Sequence, residues 1–203
     1  MAEIDGSLLE PMRVEPTAMS NGVVRLEPLD IAHAVDLHAA IDDRAFEFMP
    51  MRSSVRTLPE VRRYIGFQSS RPDTIAFAVI DNTSGRAVGS TSFMSIRAEH
   101  RSLEIGSTWL AASARGTRIN PAMKHLMLRH AFDTLVAVRV ELRTDALNAR
   151  SRRAIEKLGA VPEGVLRSHM IMPDGRLRDT VVYAITRAEW PTVRERLRSR
   201  FDA

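Results

Sequence analysis

The stretch ARGTRINPAMKHLMLRHAFDTLVAVRVELRTD, Ala114 to Asp145, decides the fold. It opens with Gly116 between two cations, Arg115 and Arg118, and reaches Asn120-Pro121 just before a long apolar run. Asn120 is a residue type that caps helices, and Pro121 suits a first helical position, where a missing N–H costs nothing. The run from Ala122 to Phe132 therefore predicts a helix. Beyond it, Val138, Val140 and Leu142 alternate with Arg139, Glu141 and Arg143, the period of a strand with one apolar face. The segment before the loop, RSLEIGSTWL (Arg101–Leu110), also reads as a strand. Strand, helix and strand in that order form a β-α-β crossover. The fold class is α/β, a mixed sheet with helices on both faces.

The flanks agree. VVRLEPL (Val23–Leu29) alternates as a strand. The apolar stripe Ile31, Ala34, Val35 and Leu37, with Asp30 as cap, predicts an amphipathic helix. Thr57, Pro59 and Glu60 carry the start signature of a second helix. TIAFAVID and AVGSTSFMSI flank the turn NTSGR as a hairpin. NARSRRAIEKLGA (Asn148–Ala160) is a helix that begins at Asn148 and stops at Gly159. PEGVLRSHMIM and RDTVVYAIT close the sheet around the turn PDGR. A last helix carries Trp190, Val193, Leu197 and Phe201 on its apolar side, with Thr186 and Glu189 as a capping box. Residues 1–21 read as a loosely ordered arm, and residues 22–203 as a single domain.

Composition narrows the chemistry. The chain has 203 residues and no cysteine, which rules out disulfides, thiolate metal sites and an acyl-cysteine intermediate. No segment has the apolar length of a membrane span, and the N-terminus lacks the pattern of a secretory signal, so a cytoplasmic protein is expected. The net charge of +4 suits an anionic ligand without arguing for nucleic acid. No metal-ligand spacing occurs.

The first turn of the central helix offers amides with no partner inside the helix, and its dipole adds positive charge there. Gly116 admits close backbone approach, and Arg115 and Arg118 add formal charge. The site suits phosphate or pyrophosphate. It is neither a Walker loop nor a dinucleotide fingerprint, and on its own it is equally compatible with an ordinary strand-to-helix connection. Ser151 shares a helix face with Ala154, Ile155 and Leu158 and points inward, either towards a ligand or towards nearby backbone.

Taken together, EIGSTWL, ARGTRIN, KHLMLRHAF and RVELRTDALNARSRRAIEKLGA resemble the GNAT superfamily of acyl-CoA-dependent N-acyltransferases, RimJ/RimL-like members above all. The resemblance covers roughly residues 23–185. It implies a GNAT-like fold with splayed central strands. It also implies acetyl-CoA, or another acyl-CoA, as co-substrate, and no metal. The family loop pattern places Arg115, Gly116, Thr117, Arg118, Ile119 and Asn120 around the pyrophosphate, although Arg118 and Asn120 stand where the family has small residues. The strand backbone of Thr108, Trp109 and Leu110 is expected to pair with the pantetheine, Asn148 to contact that arm, and Ser151 to lie near the sulfur.

The implied reaction is direct attack of a primary amine on the thioester. Such an amine must lose a proton to a base. By resemblance that base is Glu104. Ser151 is cast as a hydrogen-bond donor to the departing thiolate, because the tyrosine that many relatives use there is Ile155 in this chain. Strict alternation puts Glu104 on one face with Gly106 and Thr108. The acceptor is a protein or peptide N-terminus or a small amine; Phe46, Phe48, Met49, Met51 and Arg52 fall where this fold has its acceptor wall, and the cluster reads either as pocket lining or as plain packing. The acyl group is acetyl by default, with succinyl left open by the arginines of that wall. Family members are monomers or dimers, so a homodimer is compatible with the resemblance. The alternative is a non-catalytic acyl-CoA-binding sensor or interaction module.

Overall fold

A computed structural model of the protein describes residues 10–50 and 55–201. Met51 and Arg52 of the expected acceptor wall lie outside the described residues. In chain order the elements are β1 (Met19–Ser20), β2 (Val24–Pro28), α1 (Ala34–Ala40), α2 (Leu58–Ser70), β3 (Ile75–Asp81), β4 (Ala87–Arg97), β5 (Ser102–Leu110) and α3 (Ile119–Arg129). They continue with β6 (Arg139–Asp145), α4 (Ala149–Leu158), β7 (Val161–Ile171), β8 (Leu177–Thr186) and α5 (Trp190–Arg198). The strands form one sheet in the order β1-β2-β3-β4-β5-β6-β8-β7. Its pairings are antiparallel except β5–β6, which is parallel and is bridged by α3. The mixed α/β architecture is the one the sequence predicts.

Local chemistry sets the boundaries. Asp30 caps the turn leading into α1, its carboxylate accepting from the Ala32 N–H at 2.8 Å. Thr57 and Glu60 close a reciprocal capping box at the start of α2. Asn148 caps α4, and Gly159 ends it in the left-handed region at φ 102°. The last helix starts only at Trp190, although Glu189 does bond back to the Thr186 N–H at 2.7 Å.

Each face of the sheet has its own core. On one, Leu103, Ile105, Val140 and Leu142 meet Met123, Leu126 and Met127 of α3, together with Ile155, Leu158, Trp190 and Leu197. On the other, Ala76, Ala78 and Trp109 meet Leu37, Phe46, Val61, Tyr64 and Ile65. Burying a side chain of that size contributes roughly 1.5–3 kcal/mol. Phe46 packs against Tyr64 and Trp109 with ring centroids 5.8 and 5.3 Å apart. The segment expected to be a loose arm is held to the sheet from Glu10 onward. The Met12 N–H donates to Ala98 O at 3.0 Å, Met12 is buried, and Met19 pairs with Leu26.

Candidate active site

β5 and β6 pair only at Ser102–Arg139, Leu103–Val140 and Glu104–Glu141. Beyond Glu104 they part, while β5 remains paired with β4 as far as Leu110. The backbone from Ile105 to Leu110 therefore presents an edge free of β6, able to pair with an extended ligand. The loop into α3 and the turn into α4 follow the C-terminal ends of these two strands. Both helix N-termini thus flank the open end of the V, the usual place for a ligand in an α/β sheet.

Glu104 stands at the fork, 7% exposed. Burial pushes its carboxyl above the usual range, Arg143 opposes the rise, and the charge of Glu141 adds to it. Arg143 Nε lies 3.5 Å from Glu104 Oε2, and its Nη2 donates to Glu141 Oε2 at 2.7 Å. Arg97 Nη2 donates to Glu141 Oε1 at 2.5 Å. Burial would raise Glu141 as well, but these guanidinium groups hold it below its usual range. Of two neighbouring carboxylates, Glu104 is therefore the one with heightened proton affinity.

Alternation fails one turn of strand later. Ser107 has φ 48°, and the register against β4 shifts between Ser90 and Ser92, which marks a β-bulge. Glu104 and Gly106 share the face towards α2, and a Cβ on Gly106 would lie 2.8 Å from Glu104 Oε1. Ser107 stays on that face and accepts from Gln68 Nε2 at 3.3 Å. Thr108 does not follow, contrary to the sequence expectation. The extra residue turns it to the α3 side, where its Oγ1 accepts from Lys124 Nζ at 3.0 Å and bonds Thr91 Oγ1 at 2.7 Å. Sequence reasoning passes over Lys124. Burial lowers its pKa to about 7, against the opposing charge of Glu104. The available signal is a lysine with Met127 and Leu128 one turn ahead of it on an apolar helix.

The entry to α3 corrects two expectations. The helix begins at Ile119, with Arg118 at the cap position, so Asn120 is not the cap and Pro121 is not the first residue. Proline is tolerated anywhere in a first turn, because those N–H groups lack helical partners. Thr117 does the local capping, its Oγ1 accepting from the Ile119 N–H at 3.2 Å. Among the described residues, the N–H groups of Gly116, Thr117, Arg118 and Asn120 make no hydrogen bond. Gly116, at φ 76°, has open space where a Cβ would stand.

Arg115 does not supply free charge to this loop. Its Nη1 and Nη2 grip both oxygens of Asp42 at 2.7 and 2.5 Å, and its Nε donates to Leu110 O at 2.8 Å. It clamps the loop to the wall after α1, and the pair holds the Asp42 carboxyl below its usual range. Arg118 is exposed and makes no ion pair among the described residues. Arg118 and the open amides are the loop's unengaged donors.

On α4, Asn148 Oδ1 accepts from the Ser151 N–H at 3.0 Å. Ser151 is half-buried on the stripe that carries Ile155 and Leu158. Trp109 projects its ring into the α2 layer, its Nε1 donating to Tyr64 Oη at 3.3 Å, so only its backbone faces the gap. His169 bonds Thr180 through Nδ1 at 3.0 Å. Thr180 and Arg178 lie two apart on β8, on the face that carries Glu104 and looks towards Phe48. Arg178 Nη1 donates to Phe48 O at 3.1 Å. Gln68, Ser92, Arg143 and Arg178 were not candidates from sequence, yet they surround this cleft.

A family model described as an acetyltransferase (GNAT) domain matches residues 24–161. The structure of a GCN5-related N-acetyltransferase from Brucella melitensis superimposes with a TM-score of 0.88 and 30% identity, covering 94% of this chain and 88% of that one. A T. thermophilus protein, provisionally described as an acetyltransferase, gives 0.86 and 36%, covering 93% and 99%. Mycobacterium smegmatis RimJ, solved with CoA-disulfide, shares the fold at 0.77 and 23%, covering 91% and 94%. YdaF of Bacillus subtilis (strain 168), provisionally named a ribosomal N-acetyltransferase, is 29% identical over 106 residues. That match covers 52% of this chain and 57% of YdaF, little more than half of the relative. The chain belongs to the GNAT acetyltransferase family.

Proposed function

We propose that the protein transfers an acetyl group from acetyl-CoA directly to a primary amine, without a covalent enzyme intermediate. The observation that carries this reading is the buried, proton-seeking Glu104 at the fork of two parting strands, beside a free strand edge. The residues present fit the co-substrate. Arg118 and the amides of Gly116, Thr117 and Asn120 suit its diphosphate, with Ile119 beside them. The edge of Thr108, Trp109 and Leu110 suits the pantetheine, and Asn148 closes the far side. Acetyl-CoA supplies an activated acyl carbon on a thiol leaving group.

The chain's own groups do the rest. Glu104 takes the proton that the amine loses as the C–N bond forms, directly or through a water, and its raised affinity makes it the stronger base. Ser151 donates a hydrogen bond to the sulfur as the C–S bond breaks; the departing thiolate takes a proton from water, and Glu104 releases the one it took from the amine to solvent. Glu141, held ionised by arginines, keeps Arg143 from a closer grip on Glu104.

The acceptor is an amine on a protein N-terminus or a small molecule, and the name of YdaF supports the former. Thiol release from acetyl-CoA against peptide and small-amine panels tests the proposal. Glu104→Gln should cut turnover by about 10²–10⁴-fold and leave acetyl-CoA affinity unchanged. Saturable acetyl-CoA binding with no thiol release from any amine would favour a sensor instead.

A further inference from the structure

Arg178 is 8% exposed, and among the described residues its guanidinium makes no ion pair. Its one hydrogen bond goes to a neutral acceptor, Phe48 O, and its buried Nε has no partner at all. An arginine keeps its charge in proteins, and a buried charge without a counter-ion is costly enough that folds rarely retain one. The nearby carboxylates are engaged elsewhere. Asp145 accepts from Arg176 Nη2 at 2.6 Å, and Glu104 lies against Arg143. Both still act on Arg178 electrostatically, which puts Arg178 within range of the proposed base. The same face of the cleft carries two more buried orphans, Gln68 Oε1 and Ser92 Oγ. The cleft is therefore lined by buried polar atoms that have no partner among the described residues.

We infer that Arg178 reads a carboxylate on one of the two reactants, close to the reacting centre. The inference rests on the acyl-transfer reading and narrows its substrate class. The open Nε and one Nη present a fork of the geometry that pairs with a carboxylate. The carboxylate belongs either to the acceptor, as in an acidic amino acid or an acidic peptide N-terminus, or to the far end of a dicarboxylic acyl group.

Thiol release separates these sources. Acetyl-CoA is assayed with glutamate against glutamine and with acidic against neutral peptides, and succinyl-CoA is compared with acetyl-CoA on neutral amines. The wild type should prefer the acidic member of one pair. Arg178→Gln, which keeps a donor for Phe48 O, should erase that preference, raising the KM for the acidic member about 10- to 100-fold with little change for the neutral one. Arg178→Lys should restore part of it. Loss of the preference in the acceptor pairs assigns the carboxylate to the amine, and loss in the acyl pair assigns it to the thioester. A wild type with no preference, or a preference that Arg178→Gln leaves intact, overturns the inference. Calorimetric titration of the wild type and Arg178→Gln with glutamate and with succinate provides a readout that needs no turnover. If thiol release fails with every amine while either titration still depends on Arg178, the acyl-transfer reading falls and the carboxylate site stands. If no reactant pair shows an Arg178-dependent preference and neither probe binds through Arg178, the site falls.

Discussion

Replacing Lys124 with methionine should flatten the alkaline rise in the protein's stability. The ammonium is buried beneath β5 with Thr108 as its hydrogen-bond partner, and desolvation brings its pKa from 10.5 to about 7. In the unfolded chain the value returns to about 10.4. Between those limits the unfolded chain holds a proton that the folded protein does not, so stability rises with pH by about 1.4 kcal/mol per pH unit. Across the whole window the effect is on the order of 5 kcal/mol, and from pH 7.5 to 9 about 2 kcal/mol. Below pH 7 both states are protonated and the folded state carries the full penalty. Methionine keeps the length of the aliphatic stem and removes the charge, so Lys124→Met should be the more stable protein at pH 7. The two proteins should converge as the pH rises. Urea unfolding of both at pH 7, 8 and 9 measures this, and the cysteine-free chain avoids thiol oxidation at the alkaline end. A stability difference that stays constant from pH 7 to 9 would falsify the buried-ammonium argument.

Gly106→Ala puts a methyl group 2.6 Å from Met94 Sδ and 2.8 Å from Glu104 Oε1. Thiol release should drop by at least about tenfold through displacement of the carboxylate, and an unchanged kcat would count against Glu104 as base. Arg118→Ala should weaken acetyl-CoA binding several-fold, reduce its salt dependence and leave the thermal midpoint unmoved. Arg115→Ala should lower the midpoint, because it removes the clamp on Asp42; the opposite pattern in calorimetry and thermal melts would reverse the two roles. Gly159→Ala forces a side chain into the left-handed region, with its Cβ 3.0 Å from Arg196 Nη1. A loss of about 1–2 kcal/mol by urea unfolding is expected, with kcat unchanged.

What the sequence made legible was whatever neighbouring residues decide. The caps Asp30, Thr57 and Asn148, the stop at Gly159 and the two-faced strand Arg139–Arg143 all rest on contacts within a few positions. That two central strands splay followed from the family resemblance; that they part just after Glu104 shows only in the pairing of β5 with β6. What stayed hidden depends on distant partners. Arg115 looked like a free cation because Asp42, its partner, lies 73 positions away. The bulge at Ser107 puts a serine at positive φ, which local preference argues against; Gln68, 39 positions earlier, bonds the side chain there. Nothing local singles out Arg178 within its hairpin strand; its one hydrogen-bond partner, Phe48 O, lies 130 positions earlier. Asn120-Pro121 misled by two residues because proline fits every position of a first turn.

The single extra residue at Ser107 also sets the phase of everything after it. Upstream, odd-numbered side chains of β5 enter the core behind α3; downstream, Thr108 and Leu110 do so, and Trp109 joins Phe46 and Tyr64 behind the opposite face. Were Ser107 to take its place as a regular strand residue, with nothing removed, Thr108 would turn to the face of Glu104 and the indole of Trp109 would be driven into the layer occupied by Met127, exchanging the cargo of two cores at once. The same nine residues without the bulge would make the more regular strand, and Thr108 would then share the face of the base instead of bonding the lysine behind it.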